Sequence, residues 1–359
     1  MPNDELTELA PDRYAIARPV FGRMPAIHLS LDALLADEAK GSVWVDDPGH
    51  PRIAYASSPE GQYLAGDPAA AGAALATTLP HHAYLICDDC DAWATPLRSV
   101  WSNRFFRPHA RQHWRLRDPL VRDWRERVPD GFEIVPVDGA LLEQTQLGNH
   151  GAVAAWVGTW RSNEDFLARG LGYVLRTVDT VAAWCIADCV SQDSCEIGIG
   201  TDPRFRRRGF ATLVAAAAVA QASNRNYDRI GWHCLASNTG SRRVAERIGF
   251  VVACEYEALS SAFPAENVGD LTPDVSREWA EHYERAGATE PVYHYYAGVA
   301  WAHAGDHDRC LAALGRLAAS GAGGAAWLDG NVCFQKLQET PKFRSIVTRL
   351  AARSAPGDG

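Results

Sequence analysis

The 359 residues exceed what a single hydrophobic core usually organises, and 47% hydrophobic content is enough for two or three globular units. A net charge of -9 argues against a surface built for nucleic acid, and no run approaches the apolar length of a membrane span, so neither is expected as a partner. The acidic, proline-interrupted MPNDELTELAPDRYAIARP lacks the apolar centre of a signal peptide, and nine cysteines scattered through strand-like and helical stretches suit free thiols in a reducing cytoplasm.

Residues 1–128 carry short strand candidates, GSVWVDD, RIAYA and HHAYLIC, and an alanine-rich helical stretch near Ala69 to Ala76. The mixture predicts an α+β N-terminal domain. Cys87 and Cys90 form one C-x-x-C, but a closed zinc site needs two more ligands and no second pair stands nearby, so no metal is expected. The basic, aromatic run from Trp101 to Trp124 reads as a solvated connector that packs its tryptophans inward.

A second domain is predicted over 129–264. It opens on a strand at Phe132 to Val135, followed by a helix with Ser162 as N-cap and Asp165 three residues on. Strands are expected at about 171–177, 180–189 and 194–201, then an alanine-dominated helix from Phe210 to Asn224, the apolar strand IGWHCLA, and a helix closed by Gly249 in the left-handed conformation. Between Asp202 and that alanine-rich helix, Arg206-Arg207-Arg208-Gly209-Phe210-Ala211 reads R-x-x-G-x-A. A strand, a tight turn and a helix start form anion-binding geometry, because the first helical N–H groups lack intrahelical partners and carry the positive end of the dipole. Gly209 and Ala211 let backbone approach phosphate, and the arginines add charge.

With Glu196-Ile197-Gly198-Ile199-Gly200-Thr201 before that motif, and Asn238, Ser241 and Gly249-Phe250 after it, roughly residues 130 to 260 resemble the GNAT superfamily of acyl-CoA-dependent N-acyltransferases. The longer pattern, SNEDFLARGLGYVL before and C-x-A-S-N-T-G-S-R-R-V-A-E-R-I-G-F after, looks like the zwittermicin A resistance-type members. The resemblance implies a mixed sheet splayed into a V that holds acetyl-CoA as co-substrate. Ile199, Gly200 and Thr201 would meet the pantetheine arm, Arg206, Arg207, Arg208, Gly209, Phe210 and Ala211 the pyrophosphate, and Asn238 and Ser241 the opposite side of the coenzyme.

Acyl transfer to an ammonium needs a base, and Glu196, five residues before Thr201, is the candidate, with burial expected to raise its pKa. The tyrosine that often protonates the departing thiolate in this superfamily is Ala245 here, leaving Ser241, His233 or solvent for that step. His233 also reads as a hydrogen-bonded sheet residue, and Asp188 faces either the cleft or the core.

Residues 265–359 form a helical extension in which Ala297, Ala300, Gly305, Leu311, Leu314 and Leu317 resemble a tetratricopeptide helix pair. One or two such repeats need something to pack against, so a homodimer contact or a protein partner is expected there. The combined reading is an N-acetyltransferase for a primary amine of a small natural product or antibiotic. A protein amino group is the alternative acceptor, and a non-catalytic acyl-CoA-binding scaffold is the alternative from another class.

Overall fold

The computed structural model describes residues 5–24, 28–71, 74–79, 83–100, 107–260, 272–328 and 331–354. The chain divides into two compact units, Met1–Val100 with Pro108–Leu259, and Trp101–Arg107 with Ser260–Gly359.

In the first unit the order is β1 (Thr7–Glu8), α1 (Leu29–Leu35), β2 (Ser42–Val45), β3 (Ile53–Ser58), β4 (Gly61–Gly66), α2 (Ala74–Thr78), β5 (Tyr84–Cys87), α3 (Cys90–Val100) and β6 (Arg107–Leu116). It continues with β7 (Glu133–Pro136), α4 (His150–Val157), α5 (Asn163–Arg169), β8 (Gly172–Arg176), β9 (Val181–Ser191), β10 (Ser194–Thr201), α6 (Phe210–Asn224), β11 (Arg229–Leu235), α7 (Thr239–Ile248) and β12 (Phe250–Ser260). All twelve strands lie in one mixed sheet, ordered β1-β2-β3-β4-β5-β12-β6-β11-β10-β9-β8-β7.

That order is a repeat. In each half the second to fourth strands run antiparallel, and the fourth pairs in parallel with the fifth: β4 with β5 across α2, β10 with β11 across α6. The sixth strands are exchanged, so that β12 lies beside β5 of the first half and β6 beside β11 of the second. Both fourth strands also end on an Asp-Pro. The side chains of Asp67 and Asp202 accept the N–H of Ala69 and Arg204, with the proline opening a single 3₁₀ turn. Residue 128 falls at the seam between these repeats, and strands from both sides of it share the sheet.

The core between sheet and helices gathers Trp114, Trp124, Trp160, Phe166 and Trp232 with aliphatic residues of β8 to β11. α6 is alanine-rich on its packed face, with Ala215, Ala217 and Ala218 buried, and small side chains bring a helix close to a sheet. Ser162 caps α5 by accepting the Asp165 N–H, and Gly249 ends α7 at φ 110°, both as the sequence predicts.

Residues 107–116 depart from the expected connector: they form β6, in the interior of the sheet. Trp114 and Trp124 are buried as expected. The arginines that make the run look solvated are accommodated individually, Arg115 at the surface and Arg111 against two tyrosine hydroxyls. His81, His82 and Trp101 lie outside the described residues.

The second unit contains α8 (Pro273–Ala286), α9 (Tyr293–Ala304), α10 (His307–Ser320) and α11 (Pro341–Ser354) around Trp279, Tyr283, Trp301, Leu314 and Phe334. Gly305 takes φ 78° at the turn and Asp306 caps α10, while a Cβ at Gly298 would stand 2.6 Å from Leu314. No helix among the described residues is long and apolar enough to cross a membrane.

Candidate active site

β10 and β11 pair only from Ser194↔Arg229 to Glu196↔Gly231. Beyond that point β10 stays with β9 as far as Thr201↔Ala183, and β11 stays with β6 as far as Leu235↔Arg111. The two strands therefore diverge from Glu196 onward, leaving the β11-facing edge of Ile197 to Thr201 without a strand partner among the described residues. The equivalent place in the first repeat is closed. There β4 and β5 pair through Leu64↔Cys87, the Asp88 amide donates to Leu64 O at 3.2 Å, and the Gly66 amide to Asp88 Oδ2 at 3.0 Å.

At the open end of the V, Arg207 (φ 61°) and Gly209 (φ 81°) take left-handed backbone at the head of α6. The amides of Arg207, Arg208, Gly209, Phe210 and Ala211 donate to no backbone carbonyl among the described residues. Gly209 has no side chain to cap the helix, and a Cβ there would meet nothing within 4 Å, so the space over the loop is open. Asp202 holds the loop from behind, accepting from Arg204 and from Asn149 Nδ2 at 2.6 Å. Its carboxyl is held well below the usual range by Arg204 first and Asn149 next. That stabilisation is present above the ordinary carboxylate pKa and is lost as pH falls below it. Across the V, Asn238 caps α7 by accepting the Ser241 N–H, and the Ser241 hydroxyl takes the indole N–H of Trp232 at 2.9 Å.

Glu196 sits at the apex, buried. Its Oε1 accepts the Leu29 amide at 3.1 Å and pairs with His233 Nε2 at 3.0 Å. Gly231 makes room for it, since a Cβ there would come within 3.0 Å of the Glu196 side chain. The expectation that burial raises this carboxyl is corrected: burial does push it up, but the charge and hydrogen bond of His233, with the Leu29 amide, outweigh it, and the net direction is downward. His233 is indeed a hydrogen-bonded sheet residue, and its Nδ1 lies 2.9 Å from the Tyr256 hydroxyl. Its ring is sandwiched between His28, with centroids 3.7 Å apart, and His113, at 4.2 Å. Donor atoms of His28, Glu196 and His233 lie within 4.8 Å of one another. The rings of His28 and His233 stack with planes 20° apart, His28 Nε2 lies 2.8 Å from the Tyr256 hydroxyl and His233 Nε2 lies 3.0 Å from Glu196.

Asp188 faces the cleft. β9 carries it as an extra residue opposite the Glu196–Ile197 step of β10, a bulge of the kind that re-aims side chains at sites. Its Oδ1 accepts Trp156 Nε1 at 2.7 Å, and burial followed by the charge of Glu60 raises its pKa well above normal. The cleft encloses about 360 Å³, open to solvent, between Ser30, Lys40 and Glu60 from the first repeat and Trp160, Asp188 and Val190 from the second. Glu60 is solvent-accessible at the mouth yet flanked by protein. Those low-dielectric walls, and then the charge of Glu196, push its carboxyl up to about 7.

The structure thus brings Glu196, Ile199, Gly200 and Thr201 onto one strand that leads to the loop of Arg206 to Ala211. Sequence reasoning missed His28, Glu60, Arg111 and Tyr256. No local pattern marks them, since the contact from Leu29 to Glu196 spans 167 positions and that from His28 to Tyr256 spans 228.

The GNAT acetyltransferase family model matches residues 25–259, which include the diverging strands and the loop at the head of α6. The chain belongs to the GNAT acetyltransferase family. No curated protein matches it. Among solved structures, this GNAT chain is similar to a GCN5-related N-acetyltransferase-like protein from Streptococcus suis, 20% identical over 69% of this chain and 98% of that one, with a TM-score of 0.56. A tandem GNAT protein from the clavulanic acid biosynthesis pathway is 12% identical over 73% and 99% of the two chains, with a TM-score of 0.48. A GCN5-related N-acetyltransferase from Sphaerobacter thermophilus is 15% identical over 74% and 99%, with a TM-score of 0.44. At these identities the likeness is one of fold. The fold class read from sequence, α+β with a mixed sheet opened into a V, flanking helices and a C-terminal helical part, is the one observed, and membership makes the chain an N-acetyltransferase.

Proposed function

We propose that this GNAT enzyme transfers the acetyl group of acetyl-CoA directly to a primary amine of a small aminated natural product or antibiotic, in the manner of the zwittermicin A resistance-type members. The observation that carries the reading is the continuous path from the unpaired edge of Ile197 to Thr201 to the free amides at the head of α6, with a buried carboxylate at its apex. In this reading Ile199, Gly200 and Thr201 hold the pantetheine arm as an added strand. Arg206, Arg207, Arg208, Gly209, Phe210 and Ala211 hold the pyrophosphate, with Asn238 and Ser241 on the far side. Glu196 takes the ammonium proton, and the thiolate leaves without a tyrosine at position 245. Asn238 and Ser241 contribute by setting the start of α7, since both already serve as cap and anchor there. The cytoplasm is the proposed compartment, and the C-terminal helices are proposed as a tetratricopeptide-like contact with a second copy or a protein partner.

Calorimetric titration with acetyl-CoA tests the coenzyme half of the proposal. One molecule should bind per chain, because the first repeat is zipped shut where the second opens. Arg207→Glu should weaken binding at least about ten-fold, the scale of one charge-assisted hydrogen bond lost and a repulsion gained. Two sites per chain, or an unchanged affinity in the variant, would remove the assignment. The scaffold alternative predicts binding with no thiol release against any amine.

The acceptor half rests on Glu60 at the mouth of the cleft. A cationic amine beside Glu60 favours its ionised form, so the acceptor KM should fall as pH rises through about 7. Glu60→Gln should raise that KM about ten-fold and flatten the pH dependence. The stability sign is opposite. A carboxyl raised in the fold binds its proton more tightly there than in the unfolded chain, so stability falls as pH rises from the ordinary carboxylate range to about 7. Thermal melts of Glu60→Gln should lose that slope.

A further inference from the structure

Three side chains from three separate elements converge on the phenolic oxygen of Tyr256 in β12. Arg111 Nε reaches it from β6 at 2.9 Å, His28 Nε2 from just before α1 at 2.8 Å, and His233 Nδ1 from β11 at 2.9 Å. Arg111 Nη1 also donates to the Tyr84 hydroxyl at 2.9 Å, so the guanidinium is fixed in place.

With a neutral His233 the proton count has one solution. A guanidinium only donates, and a phenol carries a single hydrogen. An ionised Glu196 only accepts, so His233 Nε2 at 3.0 Å must bear the imidazole hydrogen, which leaves Nδ1 bare. That bare nitrogen takes the hydrogen of Tyr256, and the phenolic oxygen then accepts from Arg111 Nε and from His28 Nε2–H. Each of the four contacts among Arg111, His28, Tyr256, His233 and Glu196 then has one donor and one acceptor. The opposite tautomer of His233 would turn a lone pair toward the Glu196 carboxylate and leave the Tyr256 hydrogen only His28 to serve.

We infer that Arg111, His28 and Tyr256 are positioning residues that fix the His233 tautomer, so that its Nε2–H stays on Glu196 and the carboxylate meets the acceptor amine in one orientation. The inference rests on the reading of Glu196 as the base. It also gives the first repeat a part in the chemistry, because His28 and Arg111 both come from it. Burial pushes His28 well below its ordinary value, which keeps its ring neutral as the proton count needs. The other titratable groups that feel the charge of Glu196 are Glu60, Tyr63, His113, Asp188, Cys189 and Cys195. Their own responses must be separated from that of the lock.

The test uses the full chain with ¹⁵N-labelled histidine. The ring nitrogens of His233 should report a hydrogen on Nε2 and a bare Nδ1 in the parent, and a mixture of tautomers in Tyr256→Phe. In the same variant kcat should fall about ten-fold, a fraction of the 10²–10⁴ that a general base is worth, with the KM for acetyl-CoA unchanged and the acid limb of kcat/KM moved upward. Arg111→Met should shift both readouts in the same direction, and Arg111→Lys, which restores a donor, should recover part of the loss. If Tyr256→Phe fails to fold, the Arg111 pair decides the matter on the same readouts.

A doubly protonated His233 in the parent at neutral pH would overturn the lock. So would a folded Tyr256→Phe with the parent's tautomer and acid limb. An active Glu196→Gln would sink the base assignment instead, while the nitrogen spectra still judge the lock.

Discussion

Glu196→Gln is expected to lower kcat/KM by roughly 10²–10⁴ while the affinity for acetyl-CoA stays within about two-fold. Glutamine keeps an oxygen that can accept from both the Leu29 amide and His233 Nε2, so the apex of the V should hold its shape. What it loses is the ability to take a proton. Because His233 holds the Glu196 carboxyl below its ordinary value, the proposed base is already ionised throughout the neutral range, and its limb of the parent's kcat/KM profile should lie at or below the usual carboxylate range. A transition near 7 should therefore belong to Glu60 and appear only with cationic acceptors. Steady-state kinetics across pH with one cationic and one neutral acceptor would check both statements. Full activity in Glu196→Gln, with coenzyme bound, would place the base elsewhere.

The strand, loop and helix on the proposed coenzyme side were legible in the sequence because their determinants are local. Strand, loop and helix follow one another from Glu196 to Asn224, and each carries its own signal: alternation in β10, left-handed backbone at Gly209, and alanine propensity in α6. The proposed acceptor side was not legible, because it is assembled by tertiary pairing. Arg111 and His113 stand in a run whose charges suggest solvent, yet the exchange of β6 and β12 carries that run into the middle of the sheet. The repeat itself was hidden for a related reason. The first copy keeps the Asp-Pro turn at Asp67 but reads Ala69-Ala70-Ala71-Gly72-Ala73 where the second has Arg204 to Arg208, so the two share a turn without a shared anion-binding signal. Burial alone also gave the wrong direction for Glu196, since a partner 37 positions away decides it.

Removing residues 1–128 should abolish folding of the remaining sheet, and with it all activity. The exchanged strands carry the argument. Without β6, the edge of β11 from Gly231 to Leu235 loses its antiparallel partner, and β12 loses the strands on both of its sides. An apolar sheet edge of that length is an aggregation surface. Trp114, at 3% exposure in the main core, goes with it, and losing a buried tryptophan alone costs about 3–5 kcal/mol, a large part of a typical folding free energy. Glu196 would meanwhile lose the Leu29 amide, and His233 one of its stacking rings on each face. Expression of residues 129–359 should accordingly yield insoluble protein or a species without a cooperative melt. Co-expression of 1–128 as a separate chain should restore a soluble complex that binds one acetyl-CoA. A soluble, cooperatively melting 129–359 fragment with unchanged acceptor kinetics would show that the first repeat is dispensable, and the shared-sheet account of the site would then fail.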